Sequence, residues 1–229
     1  MKRGKKYIKV SKDLDRNKSY SLQEGIKEVK KTSYSKFVGS LEVHFDIVIP
    51  KDRDPKSIKG ALSLPYSSDV KSVVIAAFVS PDKEKEAKEA GADFVGLESL
   101  IKDVKENKIT FDVAIATPSV MAKIAVLGKE LGPKGLMPNP KNGTVTDDVK
   151  SAISEYKKGK QTFACDMSGV IHIKAGKLDM DDEKLVENVH ATVSSVEEVL
   201  GKPYNQSIER IHITSTMGPS YKIDYKKAE

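Results

Sequence analysis

The chain has 229 residues, of which 31% are charged and 38% hydrophobic, with 39 Lys and Arg against 33 Asp and Glu. This length and composition predict one or two folded domains and exclude a chain that is disordered throughout. No apolar run is long enough to span a membrane, and no apolar segment after the basic N-terminus indicates a secretory signal. The lone Cys165 excludes an intramolecular disulfide framework and a cysteine-based zinc cluster, and it is typical of a reducing compartment.

The excess positive charge lies in the N-terminal part of the chain. Residues 1–65 carry a net charge of +8, residues 66–158 are neutral, and residues 159–229 carry −2. A basic arm of this kind attracts polyanions, because each phosphate that it neutralises releases a condensed counterion. On charge alone a solvated tail is the simpler interpretation, and membrane-surface binding ranks below nucleic acid. The six basic residues among the first twelve are Lys2, Arg3, Lys5, Lys6, Lys9 and Lys12.

A capping signal and an alternating pattern predict the first two elements. Ser21 and Glu24 form an S-x-x-E capping box, and apolar residues follow at helical spacing, which predicts a helix over about residues 21–31. Between residues 41 and 49, every second residue is apolar, and most of the residues between them are polar. This alternation predicts a half-buried strand that ends at Pro50.

The middle of the chain alternates predicted strands and helices. Nearly continuous apolar runs at 71–79 and 111–116 predict strands that are buried on both faces, and a short strand is predicted at 93–95. This order predicts a small parallel sheet between helices, as in a Rossmann-like three-layer α/β domain. The helices are predicted at 81–90, 97–106, 120–127 and 147–158.

Residues 128–145 and the C-terminal part have a different character. Four Gly and three Pro in residues 128–145 predict a loop. After Gly159, strands are predicted at 162–164, 170–174 and 208–214, with a long amphipathic helix at 181–200. We therefore predict a mixed α/β protein of two domains. Residues 1–65 and 159–229 form a discontinuous two-layer α+β domain, residues 66–158 form an inserted α/β domain, and the crossings at 65–68 and 157–160 form a hinge.

The motifs of common enzymes are absent. The glycines of residues 128–145 match neither a phosphate-binding loop nor a dinucleotide fingerprint, and there is no nucleophile elbow. Asp166, Ser168 and His172 lie close in sequence, but His172 alternates with Ile on a predicted strand, as a surface histidine does. The acidic residues at 179–182 lack the glycine and the distal glutamate of a calcium-binding loop. We expect no catalysis, no cofactor and no metal.

Residues 121–145, which read MAKIAVLGKELGPKGLMPNPKNGTV, carry the most specific pattern. This segment and Ser215-Thr216-Met217-Gly218-Pro219 resemble the L-one family of large-subunit ribosomal proteins, the family of the mobile ribosomal stalk, in its bacterial form. The chain departs from the family pattern at Tyr66–Val70, at Met167 and at Asn205–Ser207. Weaker matches follow in the same order: Lys36-Phe37, Glu42-Val43, Gly60, Leu64-Pro65, Gly91-Ala92-Asp93, Gly159-Lys160, Gly169 to His172, and Glu187-Asn188.

The resemblance implies a monomer in which the two chain ends form the RNA-binding domain. Its ligand would be the stalk region of the large-subunit ribosomal RNA, in cytoplasmic ribosomes. A similar element in the messenger RNA of its own operon would allow translational repression, and the stalk would assist release of transfer RNA from the exit site. The chain features alone favour a generic RNA-binding module. A nucleotide-dependent enzyme built on the parallel sheet and an assembly scaffold outside the ribosome stay as alternatives.

The resemblance also indicates which residues contact RNA. Phe37 has two interpretations: its parity with Leu41 and Phe45 predicts burial, whereas the resemblance predicts an exposed ring against ribose or base. At Gly218 we expect close backbone approach of RNA and a positive φ. The predicted contacts in the first domain are Lys36, Phe37, Glu42, His172, Lys174, Ser215, Thr216, Met217 and Gly218, and those in the second domain are Lys129, Lys134 and Lys141.

Overall fold

The computed structural model describes residues 4–12, 14–15, 18–49, 54–66, 73–106 and 108–225. Some predictions fall on residues outside these ranges. They concern the basic residues Lys2 and Arg3, the strand end at Pro50, and residues 67–72, which include most of the first crossing and the start of the strand predicted at 71–79.

The described residues form two compact units, one of Met1–Ser68 with Thr162–Glu229 and one of Asp69–Gln161. In chain order the strands are β1 Ser19–Tyr20, β2 Ser40–Ile47, β3 Lys59–Leu62, β4 Ile75–Phe78, β5 Phe94–Gly96, β6 Val113–Ala116, β7 Gln161–Ala164, β8 Val170–Lys177, β9 Ile208–Ser215 and β10 Ser220–Ile223. The α-helices are α1 Lys5–Val10, α2 Leu22–Thr32, α3 Glu84–Glu89, α4 Glu98–Lys105, α5 Met121–Ile124, α6 Gly128–Leu131, α7 Val149–Lys157, α8 Asp182–Leu200 and α9 Tyr204–Ser207.

The first unit is built on a five-stranded sheet in the order β1-β10-β9-β2-β8. Strand β2 pairs antiparallel with both β8 and β9, and β1 runs parallel to β10 at the edge. Burial alternates along β2 as predicted, because Leu41, Val43 and Phe45 face a core that α2 and α8 cover. The opposite face of the sheet carries the polar residues. The capping box at the start of α2 is present, with Ser21 as the N-cap.

The second unit has a parallel three-stranded sheet in the order β5-β4-β6. All four residues of β4 are buried, as the apolar run predicts. Ala76 and Phe78 join a core with α4, α5 and α6, while Ile75 and Ala77 join a second core with α3 and α7. Helices thus cover both faces of the sheet, and the predicted mixed α/β fold class is confirmed.

The structure corrects several predicted elements. The loop predicted at 128–145 contains the short helix α6 and a 3₁₀ turn at Pro140–Asn142, because its prolines begin only at Pro133 and the buried Leu131 anchors the turn before them. The helix predicted at 120–127 is one α-helical turn, α5, followed by a 3₁₀ turn. Strand β2 ends at Ile47, although the next amide, of Val48, still donates to the carbonyl of Ser207, the residue before β9, at 2.9 Å. The sequence analysis missed α1, β1, β3, α9 and β10, each of which has six residues or fewer.

Candidate nucleic-acid interface

Strand β9 ends in a tight turn at Ser215–Gly218. The amide of Gly218 donates to the carbonyl of Ser215 at 2.8 Å, and Met217 has a φ of 71°. Positive φ at the third position only is the pattern of a type II turn, and glycine usually occupies that position. Met217 is the one non-glycine residue with positive φ among the described residues, and its side chain is 67% exposed. The backbone thus tolerates a conformation that costs about 1 kcal/mol and displays a thioether on the surface.

Gly218 is required for space and not for its backbone angle. Its φ lies outside the left-handed region, so the positive φ predicted at Gly218 is wrong and belongs to Met217. A Cβ on Gly218 would collide with Ser215 Oγ. Ser215 is 1% exposed, and its Oγ has no hydrogen-bond partner among the described residues. The Ser215 hydroxyl therefore lies beneath the turn and does not face the surface.

Thr216 ties this turn to the start of β2. Its amide donates to Ser40 O at 3.1 Å, and its Oγ1 accepts from Ser40 N at 2.9 Å. The same hydroxyl donates to Glu42 Oε1 at 3.3 Å. Because a hydroxyl oxygen has two lone pairs, one acceptor position on Thr216 stays available for a ribose 2′-hydroxyl. Glu42 therefore orients the Thr216 hydroxyl.

The segment before β2 lies beside this turn and is exposed. Phe37 is 60% exposed, so the burial predicted from its parity with Leu41 and Phe45 is wrong. The alternation of buried and exposed residues holds only within a strand, and β2 begins at Ser40. The adjoining Lys36 and Val38 are also exposed. Gly39 lies next to the turn, since a Cβ added to it would lie 3.7 Å from Thr216 Cβ.

Two residues of this region were missed by the sequence analysis. The Tyr34 hydroxyl donates to the carbonyl of Met217 at 2.6 Å, and so braces the turn from the segment after α2. Val38, next to Phe37, is 54% exposed. The aromatic residue Tyr34 within the polar stretch 33–36 was the available signal for the first, while no pattern marked Val38.

The face of the five-stranded sheet that lies opposite the core is here called the open face. It brings together further residues that were predicted to contact RNA. Across β9, β2 and β8, the register aligns Thr214 with Glu42 and Lys174. The next row aligns three histidines, His212, His44 and His172. Glu42, Lys174 and His172 thus share one face, which continues at its β9 end into the Thr216 turn.

Burial keeps the centre of the histidine row neutral. Desolvation lowers the pKa of His44 to about 4, with His172 and His212 adding to this and Asp46 opposing it. Desolvation also lowers the pKa of His212. His44 Nδ1 lies 2.7 Å from His172 Nδ1, which is a hydrogen bond between the two rings. The described residues contain no group of three His, Cys, Asp or Glu placed to hold a metal ion. Near neutral pH His44 and His212 therefore offer polar ring atoms without charge.

Asp166 shapes the turn before β8. Its Oδ1 accepts the amides of Ser168 and Val170, both at 2.8 Å, and its Oδ2 lies 3.7 Å from His172 Nε2. These backbone hydrogen bonds, that of Val170 most, lower the pKa of Asp166 against an opposing effect of desolvation. The carboxylate therefore holds the turn and fixes the edge of the open face.

The three predicted lysines of the second unit are all exposed. Lys129 lies in α6, Lys134 follows it, and Lys141 lies in the 3₁₀ turn. The segment is ordered by its own contacts, such as the Tyr156 hydroxyl donating to Asn142 O at 2.8 Å. The structure thus presents these lysines at the surface of their own unit.

Comparisons with known proteins agree with this architecture. The class of protein that they indicate is a ribosomal protein. The family model described as the ribosomal protein L1p/L10e family matches residues 29–219. The large ribosomal subunit protein uL1 of Thermosipho africanus strain TCF52B is 44% identical over 228 residues, which cover 97% of each chain.

The chain therefore belongs to the ribosomal protein L1p/L10e family, and the resemblance to the L-one family in its bacterial form is confirmed. As a ribosomal protein it is located in the ribosome, in the cytoplasm. The family is one of ribosomal proteins and not of enzymes. Separately, the described helices include none that is long and apolar enough to cross a membrane.

Proposed function

We propose that the protein is a component of the large ribosomal subunit and binds its ribosomal RNA through the discontinuous domain of residues 1–65 and 159–229. The carrying observation is the turn at Met217, where a strained backbone holds an exposed thioether and hydrogen bonds from Tyr34 and Ser40 tie the turn to the segment of the exposed Phe37. A non-glycine residue in the left-handed region persists only where its surroundings impose it, and such positions cluster at binding sites.

The chemistry of the surface suits a folded RNA. Phe37 and Met217 offer apolar surface to ribose and base, and the free acceptor of Thr216 suits a 2′-hydroxyl, which distinguishes RNA from DNA. Lys36 and Lys174 would contact phosphate or sugar, and Gly218 lets the RNA approach the backbone. Once RNA excludes water from this surface, each hydrogen bond contributes roughly 0.5–1.5 kcal/mol net.

The finer roles belong to the same proposal. The RNA would be the stalk region, and the protein would assist release of deacylated transfer RNA from the exit site. Binding of a similar element in the messenger RNA of its own operon would repress translation, and Lys129, Lys134 and Lys141 would add contacts from the second domain. The free protein would be a monomer. A generic RNA-binding or assembly module outside the ribosome is the second candidate, favoured by the basic N-terminal segment alone.

Filter binding with transcribed large-subunit ribosomal RNA tests the proposal. We expect specific binding, with a salt dependence of only a few counterions, and much weaker binding of an unrelated duplex RNA. Thr216→Ala should weaken binding by on the order of 1 kcal/mol. Phe37→Ala should do the same or more, while Val48→Ala, at another exposed apolar residue of the same unit, should change little. Equal affinity for both RNAs at moderate salt would favour the generic module.

A further inference from the structure

A cavity of about 510 Å³ lies in the first unit, lined by α1, α2, the edge strand β1 and its neighbour β10. Its walls combine lysine side chains with tyrosine rings, and none of these residues was among the predicted contacts. We propose that this cavity binds one nucleotide of the RNA strand that contacts the Met217 turn. The inference rests on the proposed function and adds a second contact site to it.

The charge of the cavity suits a phosphate. Lys6 and Lys9 lie three residues apart on α1, and Lys31 reaches the cavity from the last turn of α2. Glu28 is the acidic lining residue and lies 3.5 Å from Lys31 Nζ. Three lysines against one glutamate leave a lining charge of +2 at neutral pH. Two of the basic N-terminal residues, Lys6 and Lys9, therefore lie in a defined site.

The other walls suit a base and a ribose. Tyr20 and Tyr221 pack edge to face with ring centroids 5.5 Å apart, and the Tyr221 hydroxyl donates to Thr32 Oγ1 at 3.1 Å. The apolar side chains of Val10 and Leu14 complete the lining. The partly exposed rings of Tyr20 and Tyr34 can stack on a single-stranded base with little dependence on sequence, whereas Tyr221 is 3% exposed and supports Tyr20 from beneath. Because the tyrosines are already held by their neighbours, little ordering is required on binding.

Tyr34 makes the cavity continuous with the proposed RNA site. Its ring lines the cavity, and its hydroxyl donates to the Met217 carbonyl. An RNA strand that crosses the Met217 turn therefore reaches the cavity next. A free nucleoside monophosphate has the same chemistry as one nucleotide of a strand, so the experiment must separate these two sources.

Charge reversal on α1 tests the cavity in the full-length chain. Lys6→Glu with Lys9→Glu changes the cavity, whereas Lys5→Glu with Lys12→Glu makes the same charge change on neighbouring residues that do not line it. With transcribed large-subunit ribosomal RNA at moderate salt, we expect the cavity variant to bind at least tenfold more weakly than the control variant. Both variants should melt like the parent. Equal losses of RNA affinity in the two variants would overturn the proposal. They would show that the basic N-terminal residues act only through their net charge.

Two further measurements separate this inference from the proposed function. Ultraviolet crosslinking of the unaltered complex, followed by mass spectrometry of the peptides, should place a nucleotide on Tyr20 or Tyr34. Adducts at Phe37 and Met217 without one in the cavity would overturn the cavity proposal and leave the proposed function standing. If the parent chain showed no specific binding, the proposed function itself would be overturned.

The second measurement is binding of adenosine monophosphate, which should be weak and should be displaced by the RNA. Tight binding that the RNA does not displace would show a free-nucleotide site and overturn the assignment to a strand.

Discussion

The hydroxyl of Tyr34 donates a hydrogen bond of 2.6 Å to the carbonyl of Met217, although 183 positions separate the two residues in the chain. This bond joins the segment before β2 to the strained turn after β9. Thr216 makes the matching connection to Ser40 on the other side of the turn. The turn is thus held from both sides, which explains how Met217 keeps a conformation that glycine adopts more readily.

Replacing Met217, the strained residue of the turn, with glycine should raise the stability of the protein and lower its affinity for RNA. Met217→Gly relieves the left-handed backbone, so we expect the free energy of unfolding to rise by about 0.5–1 kcal/mol. The same change removes the exposed thioether, so RNA affinity should fall. Chemical denaturation and filter binding measure the two effects. Met217→Leu keeps both the strain and an apolar side chain and should leave stability unchanged; a Met217→Gly chain that binds RNA like the parent would exclude Met217 from the contact.

The pair Ser215 and Gly218 should show strong coupling. Gly218→Ala should destabilise the turn and weaken RNA binding, because its Cβ collides with the Ser215 hydroxyl. Ser215→Ala removes a buried oxygen without a partner among the described residues, so stability should stay the same or rise by up to about 1 kcal/mol.

The double variant tests the cause of this coupling. Ser215→Ala with Gly218→Ala should recover part of the stability that Gly218→Ala alone loses, in a double-mutant cycle followed by thermal melting. A large loss of RNA binding by Ser215→Ala at unchanged stability would instead show that the Ser215 hydroxyl contacts RNA directly.

Stability should fall as the pH drops below about 6.5. The folded chain holds the pKa of His44 at about 4, so the unfolded chain takes up a proton at His44 first. This contribution is complete above about pH 6.5 and is lost as the pH falls toward 4. Since the ring is partly exposed, we expect an effect on the order of 1 kcal/mol. Urea unfolding at pH 7.5 and 5 should show a smaller pH difference in His44→Gln; an unchanged difference would assign it to other groups.

The first unit should fold without the second. Its hydrophobic core consists of buried residues within 22–64 and 163–225. A chain in which residue 65 is joined to residue 159 by a short linker should therefore melt cooperatively and keep specific RNA binding. Circular dichroism and filter binding measure this. A folded chain of this kind that has lost specific binding would show that Lys129, Lys134, Lys141 or their neighbours carry essential contacts.

Local patterns in the sequence determined much of the fold. The alternation from Leu41 to Ile47 assigned the two faces of β2, and the capping box placed the start of α2 at Ser21. The apolar run at 71–79 predicted a strand buried on both faces, and β4 within it is buried. These features depend on residues a few positions apart, so periodicity and capping chemistry report them directly. The segment 121–145 and the Thr216 element carried the family resemblance for a similar reason, because each is a continuous motif.

The site itself was decided by contacts between distant segments. The exposure of Phe37 depends on where β2 begins, and the burial of Ser215 depends on the turn that covers it. The positive φ belongs to Met217 because Tyr34 and Ser40, which are far away in the chain, hold the turn by hydrogen bonds. The lysine and tyrosine cavity likewise needs α1, α2 and β10 together. A sequence lists these residues without their partners, and only the packed structure shows which backbone strain is sustained and which side chains meet.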